Sequence, residues 1–319
     1  MKKSIILIVV SLIVALIMPF FVGNFSLRLA TDILIFAIMA SSWNIIGGYT
    51  GYASFGNIVF FGLGAYVTAL LMTLLNMNFF MAMLIGGIVS AIFGYVVGLP
   101  MLRLKGHYFA IGTLGLAEAT KALVQNLSIT EGNAGIYTPM PDLSIKAFYN
   151  FFYYTSLAVL VILLFATYMI LKSKFGYGLI AIRENEDAAN SMGINTTLFK
   201  SLAFSLSGFF TGLAGGIYAY QQGFIKPEPV FAVSKTVEMI VMSVFGGIGS
   251  IFGPLIGSVL IELISNFLSS FFLVAHGIFF GSIVIVIILF APKGIYDIIS
   301  GRKKIGISYF LENIRRNRI

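Results

Sequence analysis

Residues 151–171 read FFYYTSLAVLVILLFATYMIL, an uninterrupted run without a charged side chain. An α-helix rises about 1.5 Å per residue, so about 20 apolar residues cross a bilayer core roughly 30 Å thick. The run therefore predicts a helix that spans a membrane.

The composition of the whole chain agrees with this prediction. Of its 319 residues, 59% are hydrophobic and 10% are charged, and the mean hydropathy is +0.98. A water-soluble domain needs many more charges on its exterior. We expect one all-α domain over residues 1–319, a polytopic transmembrane helical bundle of about eight to ten spans, with no room for a soluble catalytic domain.

Apolar stretches bounded by Gly, Pro, Asn or charged residues predict ten membrane segments. Their approximate bounds are 4–22, 28–46, 57–76, 79–100, 106–124, 151–171, 197–220, 235–247, 251–272 and 277–292. The first segment resembles a signal peptide, but its apolar run is long and no A-x-A-type cleavage site follows, so we expect an uncleaved span. The eighth is too short to span alone if straight, and we expect a broken or tilted element.

The basic residues set the expected orientation. With ten spans and a cytoplasmic N-terminus, the cytoplasmic segments hold most of the 20 Lys and Arg residues. These are Lys2, Lys3, Arg103, Lys105, Lys172, Lys174, Arg183, Lys200, Lys293, Arg302, Lys303, Lys304, Arg315, Arg316 and Arg318. The remainder are Arg28, Lys121, Lys146, Lys226 and Lys235. The positive-inside rule then places both termini in the cytoplasm. We expect the basic tail, about residues 293–319, to lie near anionic lipid, and its charge requires no nucleic acid.

Several kinds of site are disfavoured. The chain has no cysteine, which excludes disulfides and thiol chemistry. His107 and His276 lie far apart in the sequence, so no metal site is expected. No paired carboxylates or activated nucleophile occur in a recognisable arrangement, so we expect no enzymatic activity. No Walker-type G-x-x-x-x-G-K-[ST] motif is present, so any ATP must be hydrolysed by another subunit.

Small residues recur every four positions in two predicted helices. Gly86, Ser90, Gly94 and Gly98 share one face, and Gly208, Gly212 and Gly216 share another. Such faces let helix backbones approach closely within a membrane. They indicate either plain bundle packing or helices that slide during transport.

The loop at about residues 172–200 predicts a short surface helix. Asn185 is a suitable N-cap, and Glu186 and Asp187 favour the positive end of the helix dipole. Ala188 and Ala189 continue the helix, and Gly193 suits a left-handed C-cap. Asn195 or Thr196 can cap the next helix. A helix this short is unstable alone, so a partner is expected to hold it. The alternative is a solvated connecting loop.

Glu186-Asp187-Ala188-Ala189, followed by Gly193-Ile194, resembles the EAA-type loop of ABC importer permeases, which docks into the ATP-binding subunits. Further stretches resemble the branched-chain amino acid ABC transporter permease family. They are 47–56 (GGYTGYASFG), 60–66 (FFGLGAY), 108–115 (YFAIGTLG), 181–189 (AIRENEDAA) and 246–254 (GGIGSIFGP). The similarity runs from about Leu27 to Asp297 and favours the LivM-type subunit over its LivH-type sister.

The resemblance implies a multi-pass permease, similar to type II ABC importers, in a bacterial plasma (inner) membrane. Its partners would be membrane lipid, a LivH-type sister permease, two ABC ATP-binding subunits that hold ATP and Mg²⁺, and an extracytoplasmic amino-acid-binding protein. The solute would be Leu, Ile or Val, although the family also handles urea and short amides. The ATPase-docking residues would be Arg183, Glu184, Asn185, Glu186, Asp187, Ala188, Ala189 and Gly193.

The Gly-rich residues 47–56 form a candidate part of a translocation path. Non-helical backbone at membrane depth is tolerated inside protein or beside a water-filled cavity, and broken helices line solute sites in transporters. The alternative is a surface loop with interfacial tyrosines. The candidate path residues are Tyr49, Thr50, Tyr52, Ser54, Asn57, Thr113 and Glu262. Asn57 departs from the family pattern, in which many relatives carry His.

Four acids lie in or near predicted membrane segments, where ionisable groups are candidates for function. Three have a cation at helical spacing, which indicates structural pairs: Arg28–Asp32, Glu118–Lys121 and Lys235–Glu238. Glu262 has no such neighbour and shares a face with Ser258, Ser265, Asn266 and Ser269. It is either a protonated structural group or part of the path.

An ion-coupled secondary transporter, with Glu262 or Glu118 carrying the coupling charge, is the main alternative function. It leaves the capped, Ala-containing loop unexplained. The sequence therefore favours an ATP-driven importer subunit.

Overall fold

A computed structural model of the chain describes residues 2–271 and residue 281. The basic tail and, apart from residue 281, the tenth predicted segment lie outside the described residues.

The described residues are mainly helical. The helices are α1 (Lys2–Phe21), α2 (Asn24–Gly47), α3 (Ile58–Leu74), α4 (Phe79–Met101), α5 (His107–Asn126), α6 (Ile145–Leu171), α7 (Lys174–Glu184), α8 (Glu186–Ser191), α9 (Thr196–Gln222), α10 (Pro227–Val230), α11 (Val233–Gly247) and α12 (Gly253–Phe271). Each of the first nine predicted segments coincides with one of them. A two-residue antiparallel bridge joins Ile136–Tyr137 (β1) to Phe224–Ile225 (β2). The all-α prediction is confirmed with this small addition.

Five helical stretches of the described chain are long and apolar enough to cross a membrane. They are Asn24–Gly47, Phe79–Met101, Ile145–Leu171, Thr196–Gln222 and Pro227–Gly247. Three shorter apolar helices cover Val10–Phe21, Ile58–Leu74 and Gly253–Ser269. These helices form a polytopic bundle, and the count of eight to ten spans stays a prediction.

The eighth predicted segment is longer in the structure than the apolar run suggested. The single-turn helix α10 directly precedes α11, so residues 227–247 together reach spanning length. Phe231 and Ala232 lie between the two helices and are not helical. The predicted run 235–247 itself lies within the unbroken α11, and the break falls before it, so a tilt of this segment stays a prediction.

Helices α2 and α9 form the centre of the bundle. Within their most apolar windows 78% and 72% of residues are buried, compared with 33% for α4 and 39% for α6. Helix α9 packs against α2, α3 and α4, whereas α2 also packs against α6, α11 and α12. Most residues in these windows of α2 and α9 are thus enclosed by protein.

Small residues set the distance between α3, α4 and α9. Ser90 of α4 lies against Gly208 and Gly212 of α9, so the two predicted small-residue faces meet. A Cβ atom at Gly64 of α3 would lie 2.0 Å from the carbonyl oxygen of Gly212. Such backbone contact is how helices associate where lipid removes the hydrophobic drive. The predicted close packing is confirmed, and sliding during transport stays a prediction.

The connections gather at two ends of the bundle. One end carries residues 48–57, 102–106, 172–195 and 248–252, which are joined by hydrogen bonds such as those from Arg183 to Gly48 and from Asn44 to Ser250. We call it the α8 end. The opposite end carries residues 75–78, 127–144 and 223–232.

Replacing Gly64 by Ala should destabilise the bundle, because the new methyl group meets a backbone oxygen that cannot move without shifting α9. Overpacking of this kind costs roughly 1–3 kcal/mol. Gly115→Ala in α5 is the matched control, since a Cβ atom there meets nothing within 4 Å. Thermal unfolding of the purified protein in detergent measures both. Equal melting temperatures for the two variants would contradict the close approach of α3 and α9.

Candidate functional site

Helix α8 forms as its local sequence predicts. The Asn185 side chain accepts a hydrogen bond from the Ala188 N–H at 2.9 Å, which caps the first turn. Gly193 adopts a φ of 87° after the last turn, the left-handed region that favours glycine. Asn195 caps α9 by accepting from the Leu198 N–H at 3.0 Å. The predicted helix with its caps is confirmed.

A longer helix, α7, precedes α8, and the sequence patterns do not predict it. Helix α7 covers Lys174–Glu184 and begins at Ser173, whose side chain accepts from the Gly176 N–H. Its Arg183 donates through Nη1 to the Gly48 carbonyl oxygen at 3.1 Å. The loop at residues 172–195 is thus a pair of helices that touches the α2–α3 connection. We call it the docking loop after its expected role.

Lys200 is the buried centre of the α8 end. Its side chain is 2% exposed, and its ammonium nitrogen Nζ lies 2.6 Å from Glu186 Oε1, 2.8 Å from the Leu102 carbonyl oxygen and 2.9 Å from the Tyr52 hydroxyl. The Tyr52 hydroxyl donates in turn to Glu186 Oε2. One cation therefore joins α8, α9, the end of α4 and the α2–α3 connection.

This arrangement satisfies a charge that burial would otherwise penalise. A lysine ammonium has three donors, and three acceptors surround that of Lys200. The ammonium also lies 4.2 Å from the centre of the Tyr52 ring, within reach of a cation–π interaction. Removing one partner of such a buried pair leaves the other charge uncompensated, which is strongly destabilising.

Glu186 is held as a carboxylate by the same contacts. Burial alone would raise its pKa, but the hydrogen bonds from Lys200 and Tyr52 and the Lys200 charge outweigh burial and lower the pKa below its ordinary value. The Glu186 carboxylate is thus bound by residues of its own chain.

The outer face of α8 carries small and charged side chains. Asp187 is 86% exposed and pairs at 2.8 Å with the exposed Lys105, and Ala188 is also exposed. Ala189 is different, because it is buried at 4% exposure. The sequence predicts that both alanines face a partner; the structure leaves Ala188 exposed and packs Ala189 inward. The neighbouring Arg183–Glu184 pair, at 3.0 Å, lies at the surface.

Three candidate path residues lie at the α8 end beside the docking loop. Tyr49 is buried, with its hydroxyl next to Asn44. Thr50 is buried and donates to the Ile46 carbonyl oxygen at 2.5 Å. Tyr52 contacts Glu186, so this part of the Gly-rich stretch touches the docking loop directly.

The remaining candidates of this region link the α2–α3 connection to the bundle. The Ser54 carbonyl oxygen accepts from the Trp43 indole N–H at 2.8 Å, and Thr113 Oγ1 accepts from the Phe55 N–H at 3.0 Å. Asn57 donates to Ser207 Oγ of α9 at 2.8 Å. Glu262 lies elsewhere, on α12, within electrostatic reach of Asp32 and Glu238. The structure therefore divides the candidate path residues into two groups.

Of the three expected local ion pairs, the one on α5 forms, with Lys121 Nζ at 2.5 Å from Glu118. The other two do not close to ion-pair distance among the described residues. Lys235 Nζ lies instead 4.2 Å from the centre of the Tyr218 ring. No three His, Cys, Asp or Glu side chains in the described part of the chain are grouped to hold a metal ion.

Sequence reasoning missed Lys200 as a functional residue. The sequence places it only among the cytoplasmic cations, whereas its side chain is 2% exposed. A signal was available, because Lys200 is the sole charged residue between Thr196 and Gln222. An isolated charge in an apolar helix points to a buried partner.

The fold and this end of the bundle define a helical membrane protein that presents a short, internally anchored surface helix. A family profile described as branched-chain amino acid transport system / permease component matches residues 25–291. The chain belongs to this family.

Individual relatives agree with the family match. The chain is 32% identical to the high-affinity branched-chain amino acid transport system permease protein LivM of Salmonella typhimurium, over 89% of this chain and 73% of the relative. It is 30% identical to LivM of Escherichia coli, over 92% and 75%. It is 26% identical to a probable branched-chain amino acid transport permease protein LivH of Methanocaldococcus jannaschii, over 73% and 79%. No solved structure matches the chain.

The lowered pKa of Glu186 predicts how acid affects α8. A depressed pKa in the folded state stabilises the contact above the ordinary value of 4.5, and the contact is lost as the pH falls through the folded pKa. A spin label attached to the cysteine of the Ala188→Cys variant should therefore show the same mobility from about pH 7 to about pH 5, and its mobility should rise only at lower pH. The acid step should be absent when Glu186→Gln is added. A mobility step above the ordinary glutamate pKa would contradict the anchoring of Glu186.

Proposed function

We propose that this chain is the LivM-type permease subunit of an ABC importer that brings branched-chain amino acids into the cytoplasm. The observation that carries the proposal is the geometry of α8. Its Glu186 carboxylate is bound by Lys200 and Tyr52 on the inner side, while Asp187 and Ala188 face outward. A rigid helix with a small, exposed face is suited to seat in a cleft of another subunit.

The solute class is inferred from the relatives. The two proteins named LivM, which are 32% and 30% identical to this chain over the aligned residues, are branched-chain amino acid permeases by name. We infer Leu, Ile and Val as the solutes of this chain. Urea and short amides are the competing solutes.

The proposed assembly contains this chain, a LivH-type sister permease, two ABC ATPases and an extracytoplasmic amino-acid-binding protein. Both permease names occur among the relatives, which supports a heteromeric pair. The chain has no Walker-type motif, so ATP and Mg²⁺ would bind to the ATPases. The chain itself would move the solute without catalysing a reaction.

We further propose that the α8 end faces the cytoplasm of a bacterial cell and that both termini lie on that side of the inner membrane. The excess of basic residues in the connections of this end supports the orientation. Two of those residues belong to this region: Lys105 pairs with Asp187 of the docking loop, and Arg183 lies within the loop.

The proposed function predicts uptake that depends on ATP. Proteoliposomes holding this chain and its partner subunits should accumulate radiolabelled leucine when ATP and the binding protein are supplied, and should continue after ionophores collapse the ion gradients. Unlabelled isoleucine and valine should compete, and urea and acetamide should not. Uptake driven by a proton or sodium gradient without the ATPases would instead favour a secondary carrier, for which Glu262 is the candidate coupling group.

The exposed Ala188 provides a test of docking. A tryptophan at residue 188 should prevent the ATPases from co-purifying and should abolish uptake, because a bulky side chain on the outer face of α8 fills the space that the partner needs. Ala188→Ser, which stays small, should retain both. Ala189→Trp should lower the melting temperature of the isolated chain as well, because Ala189 is buried. Normal ATPase binding and uptake by Ala188→Trp would make the loop a mere connector.

A further inference from the structure

The α2–α3 connection, residues 48–57, is held by the docking loop at two points. The Gly48 carbonyl oxygen accepts from Arg183 at the end of α7, and the Tyr52 hydroxyl donates to Glu186 at the start of α8. Gly51 lies between them with a φ of +77°, and its backbone faces the Arg183 side chain. Arg183 and Glu186 are three residues apart, so a displacement of α8 acts on both contacts together.

Tyr52 is the more central of these contacts. Its hydroxyl is shared between the Glu186 carboxylate and the Lys200 ammonium group. Its ring packs edge-on against Phe109 of α5, with ring centres 5.3 Å apart, and lies beneath Lys200. One side chain thus contacts α5, α8 and α9.

The connection is fixed to the bundle beyond Tyr52. Ser54 is bound by the indole of the buried Trp43, and the Phe55 N–H donates to Thr113. The Ile58 N–H donates to Thr236 of α11 at 3.2 Å. These bonds tie residues 54–58 to α2, α5 and α11, so a shift at Tyr52 reaches three helices through hydrogen bonds and packed side chains.

We propose that Tyr52 is a positioning residue that transmits movement of α8 to the membrane helices through residues 48–57. This inference rests on the proposed function and adds the route by which ATP hydrolysis is coupled to transport. Coupling between distant sites needs a contiguous physical connection and a direct test of its energetic effect. The contacts of Tyr52 provide the connection, and its hydroxyl is the group to test.

Tyr52→Phe removes that hydroxyl and keeps the ring that packs on Phe109 and beneath Lys200. In the reconstituted transporter we expect the ATPases to co-purify and hydrolyse ATP, while the number of solute molecules moved per ATP falls at least about fivefold, the lower end of coupling between linked sites. Tyr66→Phe is the matched control, because the Tyr66 hydroxyl is buried and has no hydrogen-bond partner among the described residues. It should keep the original ratio.

Arg183→Met provides an independent variant at a half-exposed position. It breaks the bond to Gly48 without opening the buried junction, and it should lower the number of solute molecules moved per ATP in the complexes that retain the ATPases. An unchanged ratio in Tyr52→Phe overturns the inference while leaving the proposed function intact. If Tyr52→Phe fails to assemble, Arg183→Met decides, and an unchanged ratio there overturns the inference. Failure of the unaltered transporter and of Tyr66→Phe to use ATP for uptake overturns both proposals.

Discussion

The Lys200 ammonium group lies where almost no water reaches it, on a side chain that is 2% exposed. A buried ion left without partners costs several kcal/mol, so the chain must bring acceptors to it. Those acceptors are Glu186, Leu102 and Tyr52, which belong to three different connections. Satisfying one charge therefore fixes how α8, the end of α4 and the α2–α3 connection lie relative to α9.

A second set of contacts completes the α8 end. Asn44, near the end of α2, donates to the Ser250 carbonyl oxygen at 2.9 Å and accepts from the Gly249 N–H at 2.8 Å. Arg183 lies between this turn and Gly48, since a Cβ atom at Gly249 would meet its guanidinium group. The docking loop thus contacts the α11–α12 connection as well as residues 48–57. A partner that moves α8 would act on most of the helix ends on that side.

The helices behind this end are suited to carry such a movement because they are closely packed. Gly64, Gly208 and Gly212 let α3, α4 and α9 meet with backbone against backbone or against the Ser90 side chain. Tightly packed interiors transmit displacement instead of absorbing it. The exposed polar groups of α8 are therefore joined to the packed core of the bundle through the half-buried Tyr52 and the buried Lys200, which are both hydrogen-bonded.

The sequence by itself determined what local pattern controls. Hydrophobic runs located nine helices, and small residues at four-residue spacing predicted close packing of helices without naming the partners. Asn185 and Gly193 indicated the ends of α8 and Asn195 the start of α9, because caps and periodicity depend on neighbours a few residues away. The tertiary structure decided which residues meet across the chain. Tyr52 and Lys200 are 148 residues apart. An isolated lysine in an apolar helix signals a buried partner, but the local sequence does not say which residues that partner comprises. The tertiary structure also decided that Ala188 and not Ala189 faces outward, because this depends on how α8 lies on α9. A six-residue helix has too few positions to show a buried face in its sequence.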